Sequence, residues 1–252
     1  MEVHHHPDLH HKRKNFKEYF LEFIMIFLAV TLGFFAENIR EYFGDKSKEK
    51  EYMQSLVEDL QKDTADLRDV TEFWHQHIPV IDSISDILKE PITQKNIAQL
   101  LRLTYRFYRY DDIHYHNTTV QELQNAGLFR IVTNKKIASQ ISNYDKIYTD
   151  ELKQQRDALG NIFGEVTDLL PELINYNIMP KDPYIDSGKF YEKAQISNSL
   201  FPADGKLISR IQGKIYDLRF ISTIVIYNEK DLLKQATALI EIIRKEYDLK
   251  PG

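Results

Sequence analysis

Asp111, Asp112, His114 and His116 are the residues of this chain best suited to chemistry, and they fall close together. In an extended segment alternate side chains share a face, so the His-x-His spacing sets two imidazoles side by side with Asp112 next in line. Glu122, on the short helix expected to follow, can add a further oxygen. Two imidazoles with a carboxylate suit iron, zinc or manganese. Asp112, His114, His116 and Glu122 are therefore the expected ligands of a divalent metal. The competing reading is a polar connection whose histidines hydrogen-bond to backbone groups.

Two further groups carry weaker signals. His4, His5, His6, His10 and His11, with Asp8, can chelate a divalent metal through imidazole nitrogens. As a solvated tail they would instead gain charge at low pH beside anionic headgroups. Glu122, Arg130 and Asn134 flank Gly127 and can form a small recognition site. The plainer reading pairs Glu122 with Arg130 and makes Asn134 the N-cap of the next helix. Cysteine is absent, which excludes disulfides, thiolate zinc sites and cysteine nucleophiles. The glycines are scattered singly, so no phosphate loop is present, and no serine sits in a nucleophile-elbow setting. A net charge of −5 argues against a general nucleic-acid binder, which needs a basic face.

These residues must be held by something, and the 252-residue chain is long enough for one domain plus an anchor. From Phe23 to Ala36 no charge interrupts the apolar run, and Phe20, Leu21 and Ile39 extend it. Tyr19 and Tyr42 are separated by about 35 Å along a helix, the spacing of two interfacial aromatic belts around a bilayer core. Residues 19–42 are thus expected to span a membrane, behind a His/Lys-rich tail over residues 1–18. A cleaved signal peptide fits less well, because the bulky Phe34 spoils the small-x-small site ending at Ala36. Lys12, Arg13, Lys14 and Lys17 crowd the upstream side more closely than Arg40, Lys46, Lys48 and Lys50 crowd the downstream side. That asymmetry favours a cytoplasmic N-terminus. The chain would then lie in a bacterial inner membrane with its C-terminal domain in the periplasm.

Residues 43–252 read as a helical domain. Met53, Leu56, Leu60, Asp63, Leu67, Val70, Trp74, His77, Ile81, Ile84 and Leu88 alternate steps of three and four, one stripe on a long helix. Pro79 should kink or interrupt it, Pro91 should end it, and Thr93 should cap the next. A short helix is expected over 94–109, and another capped by Thr118 or Thr119 and closed by Gly127. A long helix should run over 135–176, bent by Pro171, and a last one over 204–247. Pro180, Pro183, Gly188 and Pro202 mark residues 177–203 as a connection. No period-two strand pattern competes. The fold class expected is all-α: one transmembrane helix, then an irregular antiparallel bundle of long helices.

The segment from Tyr19 to Glu37, behind its histidine-rich start, resembles the N-terminus of uncharacterised Bacteroidota single-pass membrane proteins. Thr119, Glu122, Leu123, Gly127, Leu128, Arg130, Ile131, Asn134, Ile137 and Tyr144 resemble a second pattern of that domain-of-unknown-function family. The resemblance implies a single N-terminal span, a helical domain and a native histidine tail. It implies no activity. The functional expectation is a membrane-anchored, non-catalytic interaction, sensor or accessory module. Its expected partners are the lipid bilayer and a second copy or another membrane protein, with the heptad stripe at Leu56, Leu60 and Leu67 mediating self-association. The alternative is a metal-binding protein or metal-dependent enzyme using His114 and His116.

Overall fold

The computed structural model describes residues 15–92, 94–178 and 199–250. The histidine tail and the expected cap Thr93 lie outside them. All long elements are helices, and no strand occurs among the described residues. They are α1 (Phe16–Lys89), α2 (Gln94–Phe107), α3 (Thr118–Asn125), α4 (Lys135–Lys146), α5 (Lys153–Leu173) and α6 (Gly205–Tyr247). A π-helical turn over Ile147–Leu152 joins α4 to α5. The chain divides into two compact units after Glu51.

In the first unit α1 begins with a reciprocal cap. The Glu18 carboxylate accepts from Asn15 N at 3.2 Å, while Glu18 N donates to Asn15 O at 2.8 Å. An 18-residue window of this unit has a mean hydropathy of 2.1, and none of it is buried against protein. Phe23, Ile26, Leu32 and Phe35 all stay more than half exposed. A helix that is apolar all round, without protein on any side, has the composition and length of a membrane span.

The second unit is an up-down-up-down bundle. The α1 stripe from Met53 to Leu88 is buried at every position named above, including polar Asp63 and His77. Three contacts set α6 antiparallel to α1: Thr71 with Glu229, Asp82 with Arg219, and Leu88 O with Gln212. Gln155 with Asn228 and Glu165 with Lys214 set α6 antiparallel to α5 as well. The second leg is broken. Helix α2 descends beside α1 to place Phe107 at His77, an irregular segment follows, and α3 places Thr119 at Asp59. Asn175 N and Phe201 N donate to Ser199 O and Leu173 O, so the chain on either side of residues 179–198 is held together.

Several expectations change. Helix α1 runs through Pro79 without interruption. Pro79 is exposed, so the carbonyl robbed of its donor faces the outside of the bundle, where the loss is cheapest. The helix expected over 135–176 is broken by the π turn, and Pro171 sits inside α5 on an exposed face. Helix α3 is led by Asn117 without a side-chain cap, because Thr119 turns its hydroxyl to Asp59 Oδ2 at 2.7 Å instead. Gly127 does adopt the left-handed conformation, at φ 62°. Leu56, Leu60 and Leu67 lie in the bundle's own core. Polar substitutions there would therefore unfold the bundle, and that stripe is not free for self-association.

Candidate functional site

The irregular segment 108–117 is the one predicted to carry chemistry, and the bundle grips it at two buried carboxylates. The first is Asp63, 1% exposed at a core position of α1. Its Oδ1 accepts from His116 N at 2.8 Å and lies 3.1 Å from His116 Nδ1. Its Oδ2 accepts from the Tyr144 hydroxyl of α4 at 3.0 Å. Burial pushes the Asp63 carboxyl up to about 6, although the His116 amide, the Tyr144 hydroxyl and the His116 ring all pull it back.

The second is Glu229 of α6, fully buried, which Arg156 of α5 bridges to the loop. Arg156 is 4% exposed. Its Nη1 donates to Glu229 Oε1 at 3.2 Å, its Nε to Asp112 Oδ1 at 2.8 Å, and its Nη2 to both Asp112 Oδ1 and Asp111 O. Thr71 donates to the other Glu229 oxygen at 3.2 Å. Burial pushes the Glu229 carboxyl up to about 7, against the pull of the Arg156 charge and the Thr71 hydroxyl. The sole tryptophan, Trp74, also holds the loop, donating from Nε1 to Asp111 O at 3.1 Å. Beside it, Gly160 leaves room for Tyr110, whose hydroxyl would stand 3.1 Å from any Cβ there.

Aromatic rings flank both grips. Tyr115 stacks on Tyr148 of the π turn at 3.8 Å between centroids and 12° between planes. Its hydroxyl donates to Asp145 Oδ1 at 2.7 Å, while Gln124 donates to Oδ2. Burial first, then neighbouring carboxylates, raises the Tyr115, Tyr144 and Tyr148 hydroxyls well above the usual phenol value. His77 is buried among Phe73, Trp74 and Phe107. Burial lowers its pKa, and Arg106 and Arg109 add to that against the Phe107 carbonyl. The neutral ring places its proton on Nε2, since its partner Phe107 O can only accept.

The expected metal ligands are not gathered. Asp112 is taken by Arg156 and His116 by Asp63, while His114 and Glu122 stand exposed. Among the described residues no three His, Asp or Glu side chains are grouped to hold a metal. Glu122 and Arg130 are both exposed and form no ion pair with one another. Asn134 takes its expected place, its side chain accepting from Lys136 N at 3.1 Å and Ile137 N at 3.3 Å. Asn134→Ala should lower bundle stability by about 1 kcal/mol in urea unfolding followed by circular dichroism, and an unchanged midpoint would contradict the cap.

Arg156 and Glu229 were not singled out by sequence. Their signal is register: Arg156 falls between Leu152 and Leu159, and Glu229 between Val225 and Leu232, each on a buried stripe. Chemically, the arrangement holds one loop in place through two carboxylates that can take up protons near neutral pH. A cavity of about 360 Å³ opens between the loop and the π turn, walled by Asp112, Tyr115, Asn117, Tyr148, Lys153 and Arg156 among others. Comparison with protein-family models, with curated proteins and with solved structures returns no match.

Proposed function

We propose that the chain is a membrane-anchored, non-catalytic helical module that senses or supports a partner. The observation that carries this reading is the apolar window of the first unit, wholly uncovered by protein. Its uncovered rings and aliphatic groups belong in hydrocarbon. The resemblance of residues 19–37 to Bacteroidota membrane proteins supports the same reading. The denser upstream lysines support a bacterial inner membrane with the N-terminus in the cytoplasm and the bundle in the periplasm. A protein partner, whether a second copy or another membrane protein, has a face available to it. Tyr216, Phe220 and Tyr227 repeat along one side of α6 and are 71%, 60% and 74% exposed.

The full chain should remain in the membrane pellet through alkaline carbonate and leave it only with detergent. Val30→Arg places a charge at the centre of the span and costs about 2.5–3.5 kcal/mol of insertion, so the retained fraction should fall sharply. Release of the unaltered chain by a high-speed spin without detergent would end the proposal. Because the chain has no cysteine, Lys230→Cys gives a single thiol for topology. A membrane-impermeant maleimide should label it in spheroplasts, and labelling only after lysis would reverse the orientation.

A further inference from the structure

Helix α2 and its exit, from Gln94 to Tyr110, carry Arg102, Arg106 and Arg109 and no acidic residue. The three arginines stand at i, i+4 and i+7, so they share one face, and all three are exposed. Leu100, Leu101 and Phe107 are buried on the opposite face and fix the arginines outward. Among the described residues no carboxylate forms an ion pair with any of the three. Arg109 stands over the Phe73 ring with Cζ 6.0 Å from its centre, a contact that uses none of its N–H groups. Like charges one turn apart repel, and an anionic partner relieves them.

Helix α5 lies beside α2 and runs the opposite way. Phe107 stacks on Phe163 at 5.1 Å between centroids, and the Tyr108 hydroxyl donates to Thr167 O at 3.3 Å. At about 1.5 Å of rise per residue, these contacts bring Arg109, Arg106 and Arg102 level with Glu165, Asp168 and Glu172 to within about half a turn. Those carboxylates stand at i, i+3 and i+7 of α5 and are exposed. The two helices thus carry level rows of opposite charge that do not join each other. Glu165 Oε2 meets Lys214 and Glu172 Oε1 meets Arg210, both on α6 and both in exposed pairs. Each contact uses one carboxylate oxygen. Asp168 has no ion-pair partner among the described residues.

Level rows of opposite charge side by side are complementary to themselves. A two-fold rotation about an axis along the bundle, set between α2 and α5, exchanges the rows and keeps their heights. Arg102, Arg106 and Arg109 of one copy then face Glu172, Asp168 and Glu165 of the other, and the reverse. Helix direction is preserved, so α2 meets α5 antiparallel and the three pairs form in one register. We propose that this face binds a second copy of the chain in that isologous arrangement. The matched acidic row selects the occupant, since a small anion or a lipid headgroup would need the arginines alone. Tyr108, 39% exposed, supplies a ring near the axis. The rotation also leaves Tyr52, where each bundle begins, at the same end of both copies, as two chains anchored in one bilayer require. The pairing deepens the anchored-module reading by naming its partner and rests on it for that last point, while the charge rows stand without the anchor.

Sedimentation equilibrium of the full chain in density-matched detergent tests this. A monomer–dimer equilibrium should appear and weaken about tenfold or more between about 0.05 and 0.5 M sodium chloride. Arg106→Glu sets carboxylate against carboxylate in both halves of the pair, and Asp168→Arg sets cation against cation. Each variant alone should self-associate about tenfold more weakly or worse, with an unchanged circular dichroism spectrum. Mixed together, the two variants should pair as tightly as the unaltered chain, because each half of the mixed pair again joins opposite charges. A monomeric unaltered chain, or a mixture that stays apart, would overturn the proposal. So would self-association of Arg106→Glu at the unaltered strength. Weakening by Arg106→Glu with none by Asp168→Arg would give the arginines to another anion, such as a lipid headgroup, and would equally end it. Carbonate extraction of the same chains reads anchoring separately, so a monomer that stays in the pellet fails here and leaves the anchor intact.

Discussion

Arg156→Met should destabilise the folded bundle by about 3–5 kcal/mol, because it leaves a fully buried carboxylate without its cation. Among the described residues, the side-chain partners of Glu229 are the Arg156 guanidinium and the Thr71 hydroxyl. Methionine fills a similar volume, so lost packing is a small part of the effect. The same substitution removes three of the bonds that hold Asp111 and Asp112 to α5. The double change Arg156→Met with Glu229→Leu should recover most of the loss, since an apolar pair of comparable volume needs no ion partner. It should stop short of the unaltered chain, because the loop bonds stay missing. Urea unfolding in detergent, followed at 222 nm, reads both variants. A single variant within about 1 kcal/mol of the original would show that Glu229 takes up a proton once its cation is gone, and that the charge pair adds little.

Stability should fall as the pH rises from about 4 to about 7. Asp63 moves from 3.8 unfolded to about 6 folded, and Glu229 from 4.5 to about 7. Across that window the folded state holds protons that the unfolded state has already released. Each step up in pH therefore favours unfolding. The contribution is fully present below pH 4 and is lost as the pH passes the folded values. Each group can account for up to about 3 kcal/mol, an upper figure because neighbours relax. Asp63→Asn and Glu229→Gln keep the shape of each side chain and remove its titration. The pair together should flatten the slope between pH 4 and 7. A stability profile of the unaltered chain that rises across this interval would contradict both buried carboxylates at once.

Much of the bundle is legible in the residues, and what is hidden has a common cause. The α1 stripe is read correctly because its steps of three and four never falter between Met53 and Leu88. Even its polar members, Asp63 and His77, are marked as interior by register alone. The π turn is harder to see. Buried Tyr144, Tyr148, Leu152 and Arg156 stand four apart three times running, which a regular helix cannot keep on one face. The wider turn absorbs the drift, so an insertion in the repeat was the available clue. Arg156 and Glu229 are passed over when a stripe is traced by apolar residues only, since paired charges at core positions break the pattern that defines it. The loop at Asp111–His116 stands out in sequence by its side chains. The structure uses it chiefly through backbone groups, Asp111 O and His116 N, which composition does not report. Pro79 misleads because its cost depends on which side of the helix it faces.

The bond from the Trp74 indole to Asp111 O gives the molecule an optical reporter of its own. With a single tryptophan in the chain, all indole emission originates at the point where the irregular segment meets α1. Any event that lifts that segment admits water to the indole and should redden its fluorescence, with no dye attached and no background from a second emitter. The colour of the light would tell whether the strap is fastened.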